Sequence, residues 1–178
     1  ARRVRVTVVG GGLAGLVGAL RAIELAASVT LMEKGDRLGG SFIYSSGYVW
    51  SYRDLKTFRR EAPGGDPALQ KLVLEGLRPA LDWLESHGAP ALARETGNPL
   101  TFGVRLDPGR TVKILADRIT ASGGRVLLGE AMESLTLDDS GRVVGVISAH
   151  GGERRSERAD AVILASGGFA ANPELVGR

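Results

Sequence analysis

The stretch VTVVGGGLAGLVGALRA, residues 6–22, decides how this chain reads. A β-branched run ends in three glycines, and an apolar segment at helical spacing follows. Gly10, Gly12 and Gly15 spell G-x-G-x-x-G. With 26 glycines in 178 residues, such a spelling is expected by chance about half a time, so it carries little weight alone. Its surroundings supply the weight. Val4, Val6, Val8 and Val9 mark a strand that is apolar almost throughout, as buried parallel strands are. Residues 13–26 carry Leu16, Leu20 and Ile23 near helical spacing, with Ala27 just beyond. SVTLMEK, residues 28–34, is a second strand that ends on Glu33. Strand, turn, helix and strand make one βαβ unit.

In that setting each glycine has a task. Gly10 permits the tight turn, Gly12 lets a pyrophosphate approach the main chain, and Gly15 lets helix pack on strand. The helix opens at Leu13 and Ala14, where unpaired N–H groups and the positive dipole end favour phosphate. Glu33, with Lys34 beside it, falls where a carboxylate accepts both ribose hydroxyls of an adenosine. Like-charge repulsion at Glu33 disfavours a 2′-phosphate, and so NADP. It does not separate NAD from FAD.

The bulk composition narrows the classes. At 43% hydrophobic and 24% charged the chain is an ordinary globular one, sized for one domain or one domain with a modest elaboration. A net charge of +3 with the signs interspersed argues against a dedicated nucleic-acid surface. The absence of cysteine removes disulfides, thiolate chemistry and Cys-ligated metal. No His/Asp/Glu spacing suggests a metal site. The longest uncharged run, residues 6–20, is too short and too glycine-rich for a membrane span. Arg2-Arg3 lacks the polar lead-in of a twin-arginine signal, so the expected compartment is the cytoplasm.

Further along, residues 35–55 read as a loop rich in glycine, serine and aromatics. Asp66 and Pro67 are the cap and first residue of a helix running to His87-Gly88, with a kink expected at Pro79. Residues 97–109 read as a loop before a shorter helix over 111–122. Strands are expected at 125–128, 133–137 and 143–148, with a tight DDSG turn between the last two and a further strand at 153–158. Residues 159–174 are a buried strand running into a second glycine turn. His87 and His150 are assigned surface or capping roles. Arg59 to Glu61 and residues 153–158 read as solvated charge.

Three ordered motifs narrow the family: the long pattern Gly10, Gly12, Gly15, Gly18 and Ala22; EKGDRLGGSFIYSSG at 33–47; and AVILASGGFAANPE at 161–174. Together they resemble the fumarate reductase/succinate dehydrogenase flavoprotein superfamily, which includes 3-ketosteroid dehydrogenases. The resemblance implies that Glu33 binds ribose and that Gly39, Gly40 and Ser41 line the pyrophosphate and ribityl chain. It implies that Ser46 and Gly47 approach the flavin ring and that Met132 meets adenine through its main chain. Ala165, Ser166, Gly167 and Gly168 would close the far side of the adenosine half. Three departures stand out. Ala26 replaces the glycine that usually ends the first helix. Tyr48 follows Gly47 where a glycine pair is common. Ser41 stands where members with covalent FAD carry histidine, so the flavin is expected to be non-covalent.

The expected fold is α/β, a Rossmann-like FAD-binding fold with a central, mainly parallel sheet and a β-meander, spanning 1–178. Relatives continue past residue 174 into a substrate-capping domain and a C-terminal flavin segment, and this chain corresponds to their N-terminal flavin-binding portion. The expected function is to hold FAD for hydride transfer between a C–C bond of a small-molecule substrate and flavin N5. No catalytic residue is assigned, and Tyr48 is only a candidate. Two alternatives stay open: an NAD-binding Rossmann domain, and a nucleotide-binding module without catalysis of its own.

Overall fold

The computed structural model describes residues 2–169 and 172–177. The chain divides into two compact units, one of Ala1–Ser41 with Leu115–Arg178 and one of Phe42–Ile114. The first holds a four-stranded parallel sheet, built from β1 (Arg5–Val9), β2 (Ser28–Glu33), β6 (Arg125–Leu128) and β10 (Ala161–Leu164) in the order β10-β1-β2-β6. The register is regular, with Val9 beside both Met32 and Leu164 and with Glu33 beside Leu128. The carboxyl ends of all four strands therefore meet along one edge.

The helix α1 (Leu13–Glu24) packs on this sheet through Leu16, Ala19 and Leu20, while Val8, Leu31 and Met32 close the core from the strands. Each fully buried aliphatic side chain contributes about 1.5–3 kcal/mol, so this layer anchors the unit. The helix is followed by a left-handed residue, and that residue is alanine where the family that the sequence resembles usually has glycine. Ala26 has φ 64° and is the one non-glycine residue with positive φ among those described. Its Cβ costs about 1–2 kcal/mol in that conformation.

The antiparallel meander consists of β7 (Ala131–Leu137), β8 (Val143–His150) and β9 (Glu153–Arg158). Its first turn is fastened by Asp138, whose carboxylate accepts from the Ser140 and Arg142 main-chain N–H groups at 3.0 Å each. A short helix α5 (Pro173–Val176) follows the parallel sheet, capped by Asn172. The chain passes between the two units within α4 (Pro108–Ala121).

The second unit departs from the sequence-based expectation. Residues 35–55 are not loop throughout: β3 (Tyr48–Tyr52) lies here and pairs with β5 (Thr101–Leu106), with β4 (Ala91–Ala93) on the far edge of β5. The aromatic residues of YVWSY alternate along a half-buried strand, a β-prone pattern hidden among serines and glycines. β5 reads as loop because Gly103 interrupts it. There a Cβ would lie 2.3 Å from the Val49 carbonyl oxygen, so the glycine serves close strand approach.

A helix α2 (Leu55–Glu61), expected as loop and solvated charge, begins at Asp54, whose carboxylate accepts from the Thr57 N–H at 2.8 Å. The helix expected from residue 111 starts at Pro108, with Asp107 accepting from the Arg110 N–H at 3.0 Å. In α3 (Pro67–Ser86) the cap at Asp66 is as expected, and the helix runs unbroken through Pro79. Among the described residues no helix is long and apolar enough to cross a membrane.

Candidate dinucleotide site

The site is built at the corner where β1 turns into α1. Gly10 has φ 105°, and a Cβ on it would lie 2.4 Å from the Ala165 carbonyl oxygen. Gly15 is tighter still, because a Cβ there would fall 1.8 Å from the Gly10 carbonyl oxygen. These two glycines are required by the protein's own packing. Gly12 is different. Its φ of −72° suits any residue, and the nearest atom to a Cβ would be the Gly39 carbonyl oxygen at 4.0 Å. The space beside Gly12 is open toward the helix start, and α1 has no side-chain cap there. Leu13 and Ala14 thus begin a helix whose first N–H groups lack a side-chain acceptor.

The middle glycine, Gly11, occupies a position that the motif leaves unspecified, yet it is buried and bonded at the centre of the corner. Its N–H donates to Glu33 Oε2 at 2.7 Å, and its carbonyl accepts from the Gly39 N–H at 2.8 Å. Glu33 Oε1 accepts from the Gly35 N–H at 2.7 Å. The carboxylate is thereby oriented by two main-chain donors, and its remaining lone pairs are available to hydroxyl groups. Gly39 bridges to Gly12, and Gly40 packs on the Gly12 Cα, with Ser41 next in the same 3-10 turn.

A cavity of about 210 Å³ opens beside this corner, lined by Val9, Gly10, Met32, Glu33, Lys34, Glu130, Ala131, Met132 and Ser166. Residues far apart in sequence meet here: the β1 corner, the end of β2, the start of β7 and the segment after β10. Lys34 and Gly168 also line a neighbouring open hollow with Phe169 and Asn172. Ala165 closes on Gly10, whereas a Cβ on Gly167 or on Gly168 would meet nothing within 4 Å. Ser46 and Gly47 belong to the second unit. Gly47 is explained within it, since a Cβ would lie 2.1 Å from the Leu106 carbonyl oxygen. The Arg105 guanidinium donates to the Ser46 carbonyl at 3.1 Å and lies 6.0 Å from the Tyr48 ring centre.

One cavity residue carries no sequence signal. Glu130 is 2% exposed, and its carboxylate accepts from the Ser148 hydroxyl and from Arg155 at 3.3 Å. His150, beside it, makes a 3.1 Å contact with the Gly129 carbonyl. His87, the other histidine, is the C-cap of α3, with its Nδ1 2.8 Å from the Trp83 carbonyl.

A parallel sheet with a glycine corner, an acidic residue at the end of the second strand and a cavity at the strands' carboxyl ends defines a dinucleotide-binding α/β domain. The comparisons with known proteins then give the family. A model of the FAD binding domain matches residues 5–177, and the chain belongs to that family. It is 30% identical to the urocanate reductase of Eggerthella lenta over 97% of its own length, and 28% identical to the fumarate reductase (cytochrome) of Shewanella frigidimarina over 98%. The chain spans 33% and 35% of those two proteins, about a third of each. In fold it is similar to a flavocytochrome c3 fumarate reductase in its open conformation (TM-score 0.85, 24% identity, 99% of this chain and 36% of that one). It is also similar to the 3-ketosteroid-Δ4-(5α)-dehydrogenase of Rhodococcus jostii (TM-score 0.82, 23% identity, 98% of this chain and 48% of that one). FAD is the cofactor of this domain family, and the open cradle at Gly12 and the oriented carboxylate at Glu33 fit its pyrophosphate and adenosine ribose.

Proposed function

We propose that this chain is the flavin-binding portion of an oxidoreductase and holds FAD without a covalent bond. The observation that carries the reading is the contrast within the glycine corner. Gly10 and Gly15 are filled by protein, while the space at Gly12 is left open in front of an uncapped helix start. Main-chain N–H groups at Leu13 and Ala14 would take the pyrophosphate, with Gly39, Gly40 and Ser41 along its other side. Glu33 would accept the ribose hydroxyls, and the cavity bounded by Met132 and Ser166 would take the adenine. Ala165, Gly167 and Gly168 would close that half, and Ser46 and Gly47 would present main chain to the ring. Ser41 offers no imidazole for attachment.

Bound FAD supplies a hydride donor or acceptor at N5, and the protein supplies binding, orientation and electrostatics. The relatives named above include reductases of urocanate and fumarate and a steroid dehydrogenase. On that support the whole protein would act on a C–C bond next to a carbonyl or carboxylate of a small molecule. The test of the binding step is an equilibrium titration of FAD with the chain, followed by quenching of flavin fluorescence, with ADP as competitor. Saturable quenching reversed by ADP is the expected result. Quenching that ADP leaves unchanged, or none at all, overturns the proposal.

A further inference from the structure

We propose that Glu130 is a positioning residue for adenine, setting the main chain of Met132 so that this site selects adenine over guanine. The inference rests on the FAD reading above and adds a residue to it. Glu130 stands at the cavity wall, two residues before Met132, and its carboxylate is almost wholly buried. Burying a carboxylate is costly unless it is paired and hydrogen-bonded, and here it is both. Oε1 accepts from the Ser148 hydroxyl, and Oε2 lies 3.3 Å from Arg155 Nη1 and 3.7 Å from His150 Nδ1.

The meander's register gives these partners a shared meaning. Met132 is paired with Ser148 across β7 and β8, and Ser148 with Arg155 across β8 and β9. Met132, Ser148 and Arg155 thus form one row across the sheet, and Glu130 grips the second and third members of it. The main chain before Met132 is fastened from the other side as well. The Gly129 N–H donates to the Gly35 carbonyl and the Glu130 N–H to the Glu33 carbonyl, each at 2.9 Å. The segment 129–132 is therefore pinned between Glu33 and Gly35 on one side and the row that contains Met132 on the other.

A pinned main chain can read a base. Adenine offers an N–H donor beside a ring-nitrogen acceptor, and guanine offers the reverse order on the same edge. β7 is an edge strand of the meander, with β8 on one side and, among the described residues, no strand on the other, and an unpaired strand edge can offer main-chain donors and acceptors to a ligand. A site that fixes donor and acceptor rejects the ligand with the opposite pattern, because buried polar groups are left unpaired.

The test is the ratio of ADP to GDP affinity in the intact chain, measured by calorimetry for wild type, Glu130→Gln and Arg155→Met. The glutamine keeps the size and a hydrogen-bonding group but removes the charge that holds Arg155. Wild type is expected to favour ADP over GDP by about tenfold or more, and Glu130→Gln to narrow that preference several-fold. A general loss of structure would lower both affinities and leave the ratio in place, so an unchanged ratio overturns the proposal. Arg155 lies half in solvent, so Arg155→Met tests the same carboxylate if the glutamine variant does not fold. A narrowed ratio supports the proposal, and the wild-type ratio overturns it. A wild-type chain that binds neither ADP nor FAD overturns the FAD reading and this proposal together. Binding with an unmoved ratio overturns this proposal alone.

Discussion

The Gly11 N–H donates to Glu33 Oε2 at 2.7 Å, which ties the glycine corner to the end of the second strand. With the Gly35 N–H on its other oxygen at 2.7 Å, Glu33 is oriented by the protein's own main chain. Preorganisation of this kind lowers the ordering cost of binding. Replacing Glu33 by alanine is expected to leave two main-chain donors without their acceptor, at a cost of about 1–3 kcal/mol in stability. It is also expected to weaken FAD binding tenfold or more. Chemical denaturation and the fluorescence titration measure the two effects separately.

Gly12 and Gly15 should respond in opposite ways to the same substitution. Gly15→Ala places a methyl group 1.8 Å from the Gly10 carbonyl oxygen, an overlap that must displace main chain. The expected loss is about 3 kcal/mol or more, at the upper end of overpacking effects. Gly12→Ala meets nothing closer than 4.0 Å and needs no unusual φ. As a poorer N-cap than glycine, alanine there is expected to cost less than about 1 kcal/mol, while FAD binding falls strongly. Thermal unfolding beside FAD titration for the two variants checks the contrast.

Ala26 sits in the left-handed region that glycine adopts without penalty. Ala26→Gly removes that strain but increases the freedom of the unfolded chain, so part of the gain is returned. The net expectation is a stabilisation of about 0.5–1 kcal/mol, read as a higher denaturation midpoint with FAD affinity unchanged.

Asp160 clasps the amino-terminal end of β1. Hydrogen bonds from the Arg5 guanidinium and the Arg5 main-chain N–H, together with the Arg2 charge, hold its carboxyl well below the usual carboxylate range. A lowered folded-state value means that the unfolded chain binds more protons as pH falls. Asp160 therefore contributes stability that is present above its unfolded value near 3.8 and is lost as pH drops below it. Asp160→Asn is expected to be less stable than wild type at pH 7, with the two denaturation curves converging as the pH is lowered past about 4. A constant difference across that range would contradict the assignment.

The parallel sheet and its corner are legible in the chain because their signals are local. A valine run, a fixed glycine spacing and a terminal glutamate all fall within residues 4–33. The second unit's strands are harder to read. Gly103 looks like a loop residue until β3 is seen to approach it, and the aromatic alternation of residues 48–52 is masked by serines and glycines on either side. Glu130 is invisible for a different reason. Its partners Ser148 and Arg155 lie 18 and 25 residues downstream, and only the register of the meander brings them to it. Gly11 reads as filler because the motif leaves its position free, whereas its N–H acts on Glu33.

Whether the domain holds FAD, and holds it without a covalent bond, is read from the visible absorption spectrum. The purified chain is incubated with FAD, desalted, and then precipitated with acid. Flavin bands that survive desalting and leave with the supernatant are the predicted result. A chain that retains no flavin would rule out FAD binding by this domain, and a precipitate that keeps its yellow colour would show a covalent bond.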